Sequence, residues 1–268
     1  MRFSIALLFA AALGAEPLVD VGYRQMYNLR FDEAHRTFER FELEAPEDPL
    51  GPVSNAAAYV FAEFDRLSIL QSEFFTQDAA AFKASKKLSP DPQVREALYG
   101  ELAKADRLAD AMLARSPNEK NALFAKILII GLRADYEGLV EKRIFASLRA
   151  LKDGRQLAER LLAVDPSYYD AYLAIGVENY LLSLKPAPVR WMLQLGGAQT
   201  DPVRGVEKLR LTAEKGHYLR PYARLLMAVV ALREHDRNTA IAILQDLVKQ
   251  YPQNRLYSEE LARIRKTS

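Results

Sequence analysis

Phe31-Asp32-Glu33-Ala34, followed by Phe38 and then by Pro46, is the stretch on which the fold turns. Positions four apart share one face of a helix, so Ala34 and Phe38 meet the same neighbour, and a small residue there lets a second helix come close. Pro46, twelve positions after the alanine, has no N–H to continue the ladder and stops the helix. The same phrase returns as Ala240, Leu244 and Pro252. A small residue, a bulky one and a stop at fixed offsets describe the second helix of a hairpin. Their return far along the chain describes hairpins stacked in series.

Working outward, apolar periodicity predicts helices over 18–29 and 32–45, a stiff connection through Pro46, Pro49, Gly51 and Pro52, and a helix over 55–70. Residues 72–91 break the pattern and read as an insertion of one short helix and a loop, closed by Lys- and Pro-rich sequence. A long helix over 94–115 ends at Ser116-Pro117. The next, 121–134, is apolar around most of its circumference, which places it inside a stack and in contact on several faces. A second long helix, 138–164, ends at Asp165-Pro166, and helices around 168–180, 203–214, 221–233, 238–251 and 256–265 follow. Residues 185–200 form a second insertion, in which Pro188 can start a short helix and Gly196 can end it. The stop prolines at 46, 117, 166 and 252 are unevenly spaced, so the repeats are degenerate and their helices elongated.

The chain has 268 residues, half of them hydrophobic and 27% charged, which is ample apolar material for one long array. Its formal charge is +2. Basic and acidic residues alternate without a basic stripe, so binding to nucleic acid, which rests on neutralising phosphates, is not expected. Residues 1–15 have the outline of a secretory signal peptide: a basic start, small residues before Glu16-Pro17, and an apolar run short of the roughly 20 residues a membrane span needs. Cleavage after Gly14 or Ala15 and a periplasmic or secreted bacterial location are the expectation, with no span left after removal. There is no cysteine, which excludes disulfides, thiolate metal sites and a thiol nucleophile.

With Gly22 twelve positions before Ala34, and Gly176 ten after Pro166, residues 16–268 resemble the tetratricopeptide-repeat superfamily. The stretch Asp165-Pro166-Ser167-Tyr168-Tyr169-Asp170-Ala171-Tyr172, with Lys185-Pro186-Ala187-Pro188-Val189-Arg190-Trp191 and Leu195-Gly196-Gly197, resembles exported bacterial tetratricopeptide proteins with no assigned activity. Residues 165–257 are also faintly similar to the eukaryotic outer-membrane tetratricopeptide family linked to clearing protein inclusions. The resemblance implies a single all-α domain, a TPR-like right-handed solenoid of helical hairpins with two insertions. It implies a binding scaffold and carries no catalytic residue.

His35, His217 and His235 lie far apart without ligand spacing, and no phosphate loop, Gly-x-Ser-x-Gly elbow or dinucleotide fingerprint is present. No metal, cofactor or enzymatic activity is expected, and a hydrolase built from carboxylates converging in space is the third-ranked reading. Glu39 with Glu42, and Glu259 with Glu260, sit among Arg and Lys at helical spacing and read as solvated faces.

In the solenoids that the chain resembles, the fifth and ninth positions of each first helix face the concave side. These are Phe124 and Leu128, Leu173 and Val177, and Leu225 and Val229, all apolar. An oily concave wall cannot clamp an acidic peptide tail, and something apolar must cover it. Tyr180, Trp191 and Met192 are the remaining partner-binding candidates. Tyr169, Tyr172 and Tyr180 share a helical side and form either an aromatic wall or packing between hairpins. The segment 188–195 packs as an ordinary connector, crosses the concave face, or forms an exposed lip. The functional expectation is a non-catalytic scaffold in the cell envelope that binds a protein or peptide partner through its concave face. The alternative is a helical carrier of a lipid or other hydrophobic ligand.

Overall fold

The computed structural model describes residues 16–70 and 89–266, with the backbone alone for 144–149. The leader read over 1–15 and residues 72–88 of the first insertion lie outside the described residues. The described chain is all-α, with twelve α-helices and no strand. They are α1 (Leu18–Tyr27), α2 (Phe31–Glu44), α3 (Leu50–Arg66), α4 (Pro92–Arg115), α5 (Lys120–Asp135), α6 (Ile144–Val164), α7 (Tyr172–Ser183), α8 (Ala187–Leu195), α9 (Pro202–Lys215), α10 (Arg220–Arg233), α11 (Arg237–Gln250) and α12 (Arg255–Lys266).

The helices pair in sequence and each pair packs on the next: α1 with α2, α3 with α4, α5 with α6, α7 with α9, α10 with α11, and α12 at the end. Glycines set the closest approaches. A Cβ added to Gly22 would lie 2.3 Å from Phe38 Cε1, so α1 rests on the ring that the opening phrase predicts to face a neighbour. The contact between α7 and α9 is reciprocal: a Cβ on Gly176 would sit 2.8 Å from the Leu209 backbone nitrogen, and one on Gly205 would sit 2.7 Å from that of Tyr180. Two hairpin turns are alike. Leu29 and His235 take left-handed φ values of 60° and 61°, and the following N–H groups, of Arg30 and Asp236, reach back to the carbonyls of Gln25 and Ala231. This closure commonly uses glycine, and here Leu and His take it five positions before Ala34 and Ala240. Asp91, Asp201 and Asp236 cap α4, α9 and α11 by accepting backbone N–H groups of the first turn.

Two boundaries differ most from the sequence reading. Helix α3 starts at Leu50 instead of 55, because Pro52 falls in the first turn, where no N–H is needed, and Asp48 Oδ1 accepts the Leu50 N–H at 2.9 Å. The long helix predicted over 138–164 is interrupted. Helix α5 runs into a π-helical turn, Tyr136–Val140, Lys142 takes φ 59°, and the Arg143 N–H turns back to Glu137 O at 2.7 Å before α6 begins. The π turn contains Gly138, but no glycine or proline stands at 141–143, where the chain leaves the helix.

The series also returns on itself. The Tyr23 ring stacks on Tyr218 at 4.9 Å, Asn254 Nδ2 donates to the Tyr27 carbonyl at 2.8 Å, and Arg255 pairs with Asp65 at 2.7 Å. Helix α5 occupies the centre, with Leu123, Phe124, Ala125, Ile127 and Ile129 all buried.

The glycine contacts make a graded test. A Cβ on Gly100 in α4 would meet nothing within 4 Å. Gly100→Ala should therefore stabilise the protein by about 0.5–1 kcal/mol through helix propensity. Gly205→Ala should destabilise it by about 1–3 kcal/mol through overpacking. Urea unfolding of the two variants beside the parent measures both.

Candidate functional site

The first helices of the hairpins, α1, α3, α5, α7 and α10, together with the start of α6, turn toward one common chamber of about 420 Å³. Its wall is mainly aliphatic, with Met26, Ile127, Leu128, Leu132, Leu173, Val177, Leu226 and Val229 among its residues. Gly131 helps keep it open: it lines the space, and a Cβ added there would meet nothing within 4 Å. The lining reaches solvent at Leu184, which is exposed, and at Arg233, with Lys185 beside them.

Two carboxyl groups belong to the wall and differ in support. Asp170 Oδ1 accepts the backbone N–H groups of His217 and Leu219, each at 3.0 Å, and its Oδ2 accepts that of Tyr218 at 3.1 Å. Burial pushes the Asp170 carboxyl up, and those three donors counter it. Gly216 makes room for this arrangement, since a Cβ there would lie 2.8 Å from Asp170 Oδ1. Asp135, at the C-terminal end of α5, has no such frame. It retains accessible surface, but that surface faces the chamber, and desolvation pushes its carboxyl up to about 7 from an ordinary 3.8. The neighbouring Tyr222 hydroxyl, as a hydrogen-bond donor, is the one group that holds it down.

A buried polar cluster fastens the return of the second insertion. Arg155 Nε lies 2.5 Å from Glu178 Oε2, Arg155 Nη2 donates to Gly197 O at 3.2 Å, and Asn179 Oδ1 accepts the Asp201 N–H at 3.2 Å. Burial raises the Glu178 carboxyl, and Arg155 opposes that shift. Elsewhere, His35 Nδ1 meets Asn55 Oδ1 at 2.6 Å, and Asn55 Nδ2 donates to Glu101 Oε1 at 3.2 Å, joining α2, α3 and α4. That chain ends in a carboxyl and includes no nucleophile. Among the described residues no group of three or more His, Cys, Asp or Glu is placed to hold a metal, and no helix is long and apolar enough to cross a membrane.

The candidates read from the sequence divide. Leu128, Leu173, Val177, Tyr180 and Val229 come together on the chamber wall. Phe124 does not reach it: fully buried, its ring packs 5.0 Å from Tyr168 and 6.1 Å from Tyr218. Leu225 is buried against α12, facing a small void shared with Leu256 and Tyr257. A partner lying in the chamber therefore meets neither. Trp191 and Met192 are outside altogether, 66% and 55% exposed on α8, a helix with no buried residue. The segment forms an exposed lip, and the connector-packing and face-crossing readings do not hold. The tyrosines also part: Tyr169 and Tyr172 lie under Lys215 and Lys208 of α9, while Tyr180 faces the chamber.

Register counting missed Asp135, Tyr222, Gly131 and Tyr27. A lone carboxylate closing an otherwise apolar helix was the available signal for Asp135. Tyr27 and Tyr222 depend on the return of the series on itself, which no local pattern encodes. No protein-family model matches the chain, and no curated protein matches it either.

The state of Asp135 sets a pH test. Its folded value lies above its unfolded one, so the folded state holds the proton more tightly, and stability falls as pH rises from about 4 to 7. Asp135→Asn should exceed the parent in stability above pH 7 by up to about 4 kcal/mol, the gap closing as pH falls toward 4. Urea unfolding across that range would reveal it, and a gap independent of pH would contradict it.

Proposed function

We propose that the chain is a tetratricopeptide-like solenoid whose inner wall holds one apolar or amphipathic small molecule, a carrier or sensor instead of an enzyme. Three hairpins support the architecture. Gly22, twelve positions before Ala34, rests on Phe38; Ala228 precedes Ala240 and Leu244 by the same spacing with all three buried; and Gly176 meets Leu209 while Gly205 meets Tyr180 across the second insertion. The first helices, which line the concave side in such arrays, supply most of the chamber wall, with α6 and Leu209 of α9 completing it.

The chamber carries the functional reading. Its volume of about 420 Å³ falls within the range of small-molecule sites, roughly 300–1,000 Å³. Without an occupant, the apolar side chains that line it lack packing partners on one side. A bound apolar body restores those contacts.

Organic extraction and mass spectrometry of the purified full chain test the reading. The parent should release a stoichiometric apolar compound, or bind an apolar fluorescent probe at one site. Gly131→Phe, which puts a ring into the chamber without a clash at its Cβ, should fold and lose that binding at least tenfold. Equal binding by both proteins, or none by the parent, overturns the proposal.

The scaffold reading keeps one observation: α8 leaves Trp191, Met192 and Leu195 exposed together, and contiguous apolar surface of this kind commonly marks an interaction site. Under it, Met192→Glu with Leu195→Glu should abolish recovery of a protein partner from an envelope fraction, and partner addition should blue-shift Trp191 emission. Unchanged recovery removes that reading and leaves the chamber proposal intact.

A further inference from the structure

We infer that the chamber takes an apolar ligand bearing one basic nitrogen, and that Asp135 is the group that receives it. This rests on the chamber reading above and names its ligand. The deeply buried carboxylates elsewhere are matched within the chain. Glu63 is gripped by Arg66 at 2.6 and 2.7 Å, Glu178 meets Arg155 at 2.5 Å, Glu260 meets Arg263 at 2.6 Å, and Asp170 takes three backbone N–H groups. Asp135 has a tyrosine hydroxyl beside it and the open chamber in front, and no cationic side chain contributes to its state. An ionised carboxylate in apolar surroundings is costly until a cation meets it, so an ammonium entering with an apolar tail supplies what α5 leaves unmatched. The wall around it accepts the tail.

The other chamber groups do not compete for that role. From the turn before α7 comes Asp170, already saturated; from α7 and its end come Tyr180 and Lys185; from α10 come Tyr222 and Arg233; from α1 come Tyr23 and Tyr27. Burial raises all four tyrosines, which keeps them neutral. Lys185 and Arg233 stand at the rim, where water and salt screen them. Because the carboxyl of Asp135 is pushed up to about 7, proton and ammonium compete for it at ordinary pH. The ammonium requires the ionised form, so affinity falls as pH drops, by roughly thirtyfold between pH 8 and about pH 5.5.

Calorimetric titration of the full chain with dodecylamine, dodecanol and dodecanoate at both pH values decides it. The inference expects dodecylamine to bind at least tenfold tighter than dodecanol at the higher pH and to lose affinity on acidification. Asp135→Asn, which the stability argument above expects to fold well, should abolish both the preference and its pH dependence. Dodecanol or dodecanoate binding as tightly as dodecylamine, or an unchanged Asp135→Asn variant, overturns the ligand assignment and leaves the chamber standing. Binding of none of the three to the parent overturns the chamber reading together with this one.

Discussion

Asp170, in the short turn that leads into α7, accepts the backbone N–H groups of His217, Tyr218 and Leu219, and much of the architecture depends on that convergence. Those residues precede α10, so the carboxylate fixes where that helix begins. It also sets Tyr218 between the Tyr23 ring of α1 and the Phe124 ring of α5. The first hairpin is thereby tied to the fifth. Without this tie the first helices would present an open apolar face to water. With it they enclose a chamber.

Glycine performs opposite tasks in this design. Gly176 and Gly205 remove side chains so that two backbones can touch, and the space they free is filled at once by Leu209 and Tyr180. Gly131 removes a side chain where nothing comes to fill the space. The first pair tightens α7 against α9 despite the intervening insertion. The last helps leave a recess in α5, a helix apolar around most of its circumference, a few residues from an acidic group supported only by a hydroxyl. Packing optimised for stability alone would have neither the recess nor the acid.

The all-α class, the two outer hairpins and the long α4 were legible in the sequence, because each is written in local terms: a period, a cap, a stop proline. Four of the six residues singled out by repeat register do share one wall, with Tyr180 beside them, since register fixes which side of a helix faces inward. Phe124 and Leu225 escaped that logic because neighbours from distant helices, Tyr218 and Leu256, reach over them. The break after Val140 was hidden because a π turn and a left-handed lysine need no signature residue. The kinship of Gly176 and Gly205 was masked by the insertion: they stand twenty-nine positions apart, whereas Gly22 and Ala34 stand twelve apart. Asp135 was passed over because a carboxylate at a helix end usually meets water, and only the assembled wall deprives it of water.

The contact of Asn254 with the Tyr27 carbonyl has a consequence for the order of events on the ribosome. Tyr27 is made well before its partner, which lies 227 positions further along the chain. Hairpins of this kind can form as they leave the exit tunnel, because their internal contacts are local, but the contact that unites the first of them with the turn before α12 waits until Asn254 has been made. Until then the oily faces of α1, α5 and α7 lie open to the surroundings. The nascent protein passes through an interval of stickiness that the folded one has lost, and the arrival of Asn254 and α12 ends it.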